Sequence, residues 1–146
     1  MDVVDNFKFS SYIAYRKGTE FFKAAELLDQ QDDLLSAVAV NSMLACELMI
    51  KAILIMERQT SIPFKGHSLE KIFVELSESA QSHIKNNADI ILWEQFMCEA
   101  DSAFVDWRYI HEKRGHLTFG ISDALSFFTA AKKYYELTYT DGKEYA

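Results

Sequence analysis

An all-α fold follows from three features of the sequence. Glycine and proline together supply only 5 and 1 of the 146 residues, too few for the turn every ten residues or so that an all-β chain needs. Apolar residues recur at steps of three and four along most of the chain, the spacing of one helical face. Apolar residues make up 49% and aromatics 14%, enough to close a core and to exclude a disordered chain. The segment lengths fit an antiparallel up-and-down bundle of four long helices plus a shorter fifth. The expected organisation is a single domain over residues 1–146, with a core at about 10–139 and a polar tail at 140–146.

The first helix is expected at 10–28, with Ser10 or Ser11 as N-cap. Ala14, Gly18, Phe21, Ala25 and Leu28 share one face of it. Gly18 costs about 1 kcal/mol in a helix interior, so its place on the stripe points to a close helix crossing. A polar run, Asp29-Gln30-Gln31-Asp32-Asp33, breaks the pattern, and Asp32 or Asp33 can cap the next helix.

Residues 34–58 are the most apolar segment, but Asn41, Glu47 and Lys51 interrupt it. It is therefore read as a central helix and not as a membrane span. Ser36, Glu47, Lys51 and Arg58 fall within about 60° of one another and form one thin wet edge. Glu47 and Lys51 are an i,i+4 pair in the favourable order. A loop at 59–66 holds the only proline, Pro63, and precedes a short helix from 69 to about 79. Ser68 is its expected cap, with Glu70 in the first turn.

Residues 80–89 read as a polar connection holding at most a short turn. The fourth long helix is expected at 90–113, with Trp93, Phe96, Ala100, Phe104, Trp107 and His111 near one face. Lys113 and Arg114 suit its last turn and Gly115 its C′ position. The last helix is expected at 121–139, with Ile121, Leu125, Phe128 and Tyr135 on one side. Ala124, Phe127, Ala131, Tyr134 and Thr138 lie close by.

The charge of −7 excludes a general polyanion binder. That charge is unevenly spread. Trp107 to His116 holds Arg108, Lys113 and Arg114 against Glu112 alone, which is +2 and leaves −9 on the rest. Any nucleic-acid contact is thereby confined to this short segment. Cys46 and Cys98 stand in no metal or redox spacing, and both read as reduced core thiols of a cytoplasmic protein. The first nine residues carry two aspartates and no apolar run, so no signal peptide is expected. Neither a metal-ligand cluster nor a phosphate-binding glycine loop is present, so no cofactor and no metal are expected.

Two features carry chemistry. Asn41 lies within the apolar stripe of its helix, where an amide without partners costs about 1–3 kcal/mol. It bonds a backbone carbonyl, another side chain or a ligand; either it fixes helix register or it orients a site. Arg108 and His111 are i,i+3 neighbours. A histidine exchanges protons with a hydroxyl or leaving oxygen, and a guanidinium binds phosphate. Together they are the minimum equipment for metal-free RNA cleavage, or else a core histidine and an Arg108–Glu112 ion pair. His67 is expected to bond nearby backbone, and His83 to be solvated.

Several segments together resemble the HEPN superfamily. They are Ala24 to Leu28; Asn41 through Glu47 and Lys51 to Leu54; Pro63-Phe64-Lys65-Gly66-His67-Ser68-Leu69 with Phe73 and Leu76; and Phe104 to Tyr109. The resemblance implies an all-α bundle, a homodimer, and metal-independent ribonucleases or their inactive relatives. It also implies toxin–antitoxin, phage-defence or RNA-processing settings, with a nucleotidyltransferase-like or antitoxin partner; the interrupted apolar run at 34–58 separately gives the expectation of no membrane partner. Its catalytic motif is an arginine followed by a histidine late in the chain, which points to Arg108 with His111 or His116. Two residues separate Arg108 from His111 and seven separate it from His116, one interval shorter and one longer than the family's. The reading is thus a dimeric RNA- or partner-binding module with catalysis lost or cryptic. Arg108, Lys113 and Arg114 would face phosphate, and Asn41, Glu47 and Lys51 would face the same interior. The alternatives are a ribonuclease using those residues and an antitoxin-like protein-interaction module.

Overall fold

In the computed structural model, residues 6–30, 35–61, 65–108 and 121–140 are described, with backbone alone for 35 and 102–108. These residues form helices α1 (Phe7–Leu28), α2 (Leu35–Arg58), α3 (Leu69–Glu75), α4 (Glu78–Asn87), α5 (Trp93–Arg108) and α6 (Ile121–Tyr135). A π-helical turn, Glu136–Thr140, closes the order, and no strand occurs among the described residues. Four helices are long, and two short ones stand where one was expected. The proposed caps at Asp32 and Asp33, the loop residue Pro63, and Lys113, Arg114 and Gly115 lie outside the described residues.

The first helix starts earlier than its serines suggest. Asn6 precedes it without a side-chain cap bond, and Ser11 is buried inside. Ser11 Oγ donates to the carbonyl of Ala52 on α2 at 2.8 Å and lies 3.0 Å from the Tyr135 hydroxyl on α6. A hydroxyl has one hydrogen, so Tyr135 donates to Ser11. What reads as a cap is a buried polar link among three helices.

Gly18 fulfils its expected role. A Cβ there would stand 3.3 Å from the Ala45 carbonyl oxygen and 3.5 Å from both Leu48 Cβ and Met49 N. Since Ser11 meets Ala52 and Gly18 meets Ala45 to Met49, α1 and α2 run antiparallel. Tyr15 stacks on Tyr135 and Phe22 on Phe128, which sets α1 antiparallel to α6 as well.

Helix α2 is the inner element. Ala45, Cys46, Met49, Ile50, Ala52, Ile53 and Leu54 are fully buried. Its length and hydropathy would let it cross a membrane, yet 67% of its apolar window is buried inside the fold. Arg58 is its last helical residue, and Gln59 then turns left-handed at φ 54°.

The expected cap of α3 is correct: Ser68 Oγ accepts from the Lys71 amide. The helix ends at Glu75 and not near 79, because Ser77 caps α4 by accepting from the Ala80 amide. The polar stretch at 80–89 is therefore mostly helix. It buries only Ala80 and Ile84, one turn apart, and the rest of the segment is polar. Helix α5 begins at Trp93, three residues later than expected, and the regular α-helix of α6 stops at Tyr135. Phe96, Ala100, Ala124, Phe127, Phe128 and Ala131 close the core against α2.

Two further expectations change. Cys46 is buried and donates to the Ala124 carbonyl, but Cys98 is exposed and does not belong to the core. His83 is half-buried with its ring against Tyr134, not freely solvated.

Candidate functional site

The wet edge of α2 carries a polar cluster. Helical spacing sets Glu47 and Lys51 on one face, and Lys51 Nζ donates to Glu47 Oε2 at 3.1 Å. The same ammonium donates to the Gly66 carbonyl at 2.9 Å. Gly66 holds φ at 128°, a conformation that a side chain would strain, and this turns its carbonyl toward α2. The next residue, His67, lies with Nδ1 3.1 Å from the same Glu47 oxygen. Glu47 and Lys51 side chains are 13% and 18% exposed, whereas His67 is 81% exposed.

A second tie holds the segment from the other side. Asp101 on α5 accepts from Ser68 Oγ at 2.8 Å and from the Glu70 amide at 3.1 Å. The segment from Gly66 to Glu70 is thus pinned between α2 and α5. Two turns beyond Asp101, at the same register of the helix, stands Arg108, the last described residue of α5.

The expected site residues divide accordingly. Glu47 and Lys51 come together as a half-buried pair rather than a solvated one. Asn41 is half-buried and donates to the Ala37 carbonyl one turn back at 2.7 Å. That is the backbone-bonded option, away from the Glu47 cluster. Arg108 is the last described residue of α5, while His111, Lys113, Arg114 and His116 lie outside the described residues. His67 bonds a carboxylate instead of nearby backbone. Only the adjacency of Gly-His-Ser-Leu to a capped helix hinted at it, since its partner is twenty positions away.

These 146 residues match the family model of the HEPN domain over residues 12–141. The chain belongs to the HEPN family. No curated protein and no solved structure matches it. Within this HEPN chain the matched span runs from the first turns of α1 through the π-helical turn. It contains Glu47, Lys51 and His67 as well as Arg108, His111 and His116.

One groove lies apart from this cluster. Helices α3, α4 and α5 enclose about 320 Å³ lined by Phe73, Val74, Lys85, Trp93, Glu94 and Met97, among others. Lys85 Nζ stands 5.7 Å from the centre of the Trp93 ring. Val74, Ile91 and Leu92 are exposed. Among the described residues no group of three metal-ligating side chains occurs.

Proposed function

We propose that the chain is a cytoplasmic, dimeric HEPN module that binds RNA through residues 107–116, with its own cleavage chemistry lost or cryptic. The observation that carries this reading is the charge concentrated over residues 107–116. Arg108, Lys113 and Arg114 give residues 107–116 a charge of +2 in a chain of −7, and they fall inside the HEPN match. Phosphate contacts require such a local excess of cations, and a two-fold axis would double it. A toxin–antitoxin or phage-defence setting accords with this reading.

Light scattering and fluorescence anisotropy with single-stranded RNA test it. A dimer whose affinity falls with salt, and falls further in Arg108→Ala, is expected. A monomer, or an affinity indifferent to salt, removes the reading.

The order of Arg108 before His111 and His116 supports a second reading, a metal-independent endoribonuclease. Equal RNA cleavage in EDTA by wild type, Arg108→Ala and the two histidine variants would dismiss it. The exposed Val74 in the groove, with Ile91 and Leu92 exposed just before Trp93, supports a third, docking of an antitoxin or nucleotidyltransferase-like protein. Co-purification with the product of the neighbouring gene tests that.

A further inference from the structure

One long face of α1 is left to solvent. Ser11, Gly18 and Ala25 are its buried residues. On the opposite side Phe9, Ile13, Arg16, Glu20, Lys23 and Leu27 follow one another at alternating steps of four and three. At about 100° per residue, all six lie within about 40° of the direction opposite Gly18. Phe9 and Leu27, at the two ends, are 58% and 67% exposed. Ile13 is half-buried, and the three charged residues between the ends are exposed. Steps of four and three make the seam that one helix presents to another in a coiled coil.

The stripe is complementary to itself. Its members fall in pairs centred on Gly18: Phe9 and Leu27 stand nine positions to either side, Ile13 and Lys23 five, and Arg16 and Glu20 two. A second copy turned end over end, about a two-fold axis at the level of Gly18, brings each member to its opposite number. Phe9 then meets the partner's Leu27, apolar against apolar. Ile13 lies under the stem of the partner's Lys23, whose ammonium still reaches water. Arg16 faces the partner's Glu20, and the two-fold axis makes every such pair occur twice. In a parallel arrangement the same residues would meet their own kind, with arginine on arginine, glutamate on glutamate and lysine on lysine. Like charges set against one another disfavour that arrangement. None of Arg16, Glu20 and Lys23 is in an ion pair with another described residue. Arg16 rests over the ring of Tyr12, its guanidinium carbon 5.9 Å from the ring centre, which limits the freedom it would lose on pairing.

We propose that the outer face of α1 is a homodimer interface, in which α1 packs antiparallel against α1 of a second copy. The proposal rests on the dimeric reading above and names the surface, the orientation and the register; residues 107–116 play no part in it. The occupant follows from the symmetry. In an isologous contact one patch must suit its own image, and this stripe does so in both polarity and charge. A partner of unrelated sequence would impose no such pairing about Gly18. From Phe9 to Leu27 the contact would run about 27 Å along the helix.

The test is sedimentation of the full chain over a dilution series, with circular dichroism as the check on folding. Every position changed lies on the outer face of α1, so native spectra are expected. Arg16→Glu alone sets acid against acid across the axis, and Glu20→Arg alone sets base against base. Each is expected to weaken self-association at least about 10-fold. Mixed in equal amounts, the two variants are expected to pair with each other as tightly as wild type pairs with itself, because acid then meets base in both central contacts. Mixing separates contacts between chains from any effect of Arg16 and Glu20 within one helix. In a Cys98→Ser background, a Phe9→Cys chain should form a disulfide with a Leu27→Cys chain and not with its own kind. Single charge variants that dimerise as tightly as wild type overturn the α1 interface and leave the dimeric reading to another surface. A mixture that stays monomeric overturns the register and with it the proposal. Should a charge variant lose its native spectrum, the cysteine pair decides, and failure to cross-link overturns the interface. A wild-type monomer at every concentration removes both the interface and the dimeric reading.

Discussion

Replacing Gly18 tests the crossing of α1 and α2. The wall it faces is backbone: Ala45 O would stand 3.3 Å, and Met49 N 3.5 Å, from an added Cβ. A carbonyl inside a helix yields only if the helix moves. Alanine regains about 1 kcal/mol of helix propensity but meets an overpacking cost of about 1–3 kcal/mol. The result lies between no change and a loss of about 2 kcal/mol. Valine keeps only about 0.3 kcal/mol of the propensity gain and adds two methyls against the same wall. Its cost sits at the upper end, for a net loss of about 3 kcal/mol. At about 2–4 °C per kcal/mol for a chain of this size, Tm falls by roughly 6–12 °C. Urea and thermal melts followed by circular dichroism measure it. Lys17→Val, at an exposed neighbour on α1, alters propensity alone and should cost less than about 1 kcal/mol. A Gly18→Val protein within about 0.5 kcal/mol of wild type would refute the close crossing.

Other outcomes follow from the same contacts. Ser11→Ala should cost about 1–3 kcal/mol, since it deprives buried groups of a partner, and a cycle with Tyr135→Phe should give a coupling of at least about 0.5 kcal/mol. Purely additive losses would contradict the 3.0 Å contact. Of the two thiols, exposed Cys98 should react with a disulfide reagent in the native protein. Buried Cys46, whose thiol burial pushes up, should react only on unfolding. Burial, and then the bond to Glu136, raise the Tyr15 hydroxyl above its ordinary value of 10.0, and burial does the same for Tyr139. The folded state therefore keeps these protons after the unfolded chain has lost them. Stability contributed by Tyr15 and Tyr139 should hold below about pH 10 and fall as pH rises further. Melts across that range should show a shallower alkaline loss in Tyr15→Phe.

Local signals in the sequence were readable where their partners lie within a turn or two. Ser68 caps α3 because its acceptor and the Lys71 amide are three residues apart, and spacing alone reveals that. Gly18 was legible because a glycine on an apolar stripe has few other uses. Ser11 was not: a serine near a helix start has the composition of a cap, and only its partners 41 and 124 positions away show that it is a buried link. Helix α4 is not legible because its two buried residues, Ala80 and Ile84, stand in a segment that is otherwise polar and so reads as a connection. Cys98 reads as core because Met97 beside it and Ala100 two residues on are buried, while Cys98 itself faces outward and is exposed. At the site, the Glu47–Lys51 pair could be read from i,i+4 spacing. The third member, His67, could not, because its place depends on how the loop folds back onto α2.

That fold-back has a physical basis in how the two short helices are held. Helix α3 has seven residues and α4 ten, lengths at which helices are not stable alone. Each is capped by a serine, and each cap is also bonded to a carboxylate from a long helix. Asp101 of α5 takes Ser68 Oγ and the Glu70 amide. Glu57 of α2 takes the Ser77 amide at 2.9 Å and also its hydroxyl. Arg58 pairs with Glu75 between them, but both partners are well exposed, so that pair adds little. The carboxylates act on orphan helix-terminal donors, the groups with most to gain from a partner. The consequence reaches the site. With α3 fixed by Asp101 on one side and Lys51 gripping the Gly66 carbonyl on the other, His67 has little backbone freedom. Its ring therefore meets Glu47 by construction of the surrounding helices and not by a chance surface encounter.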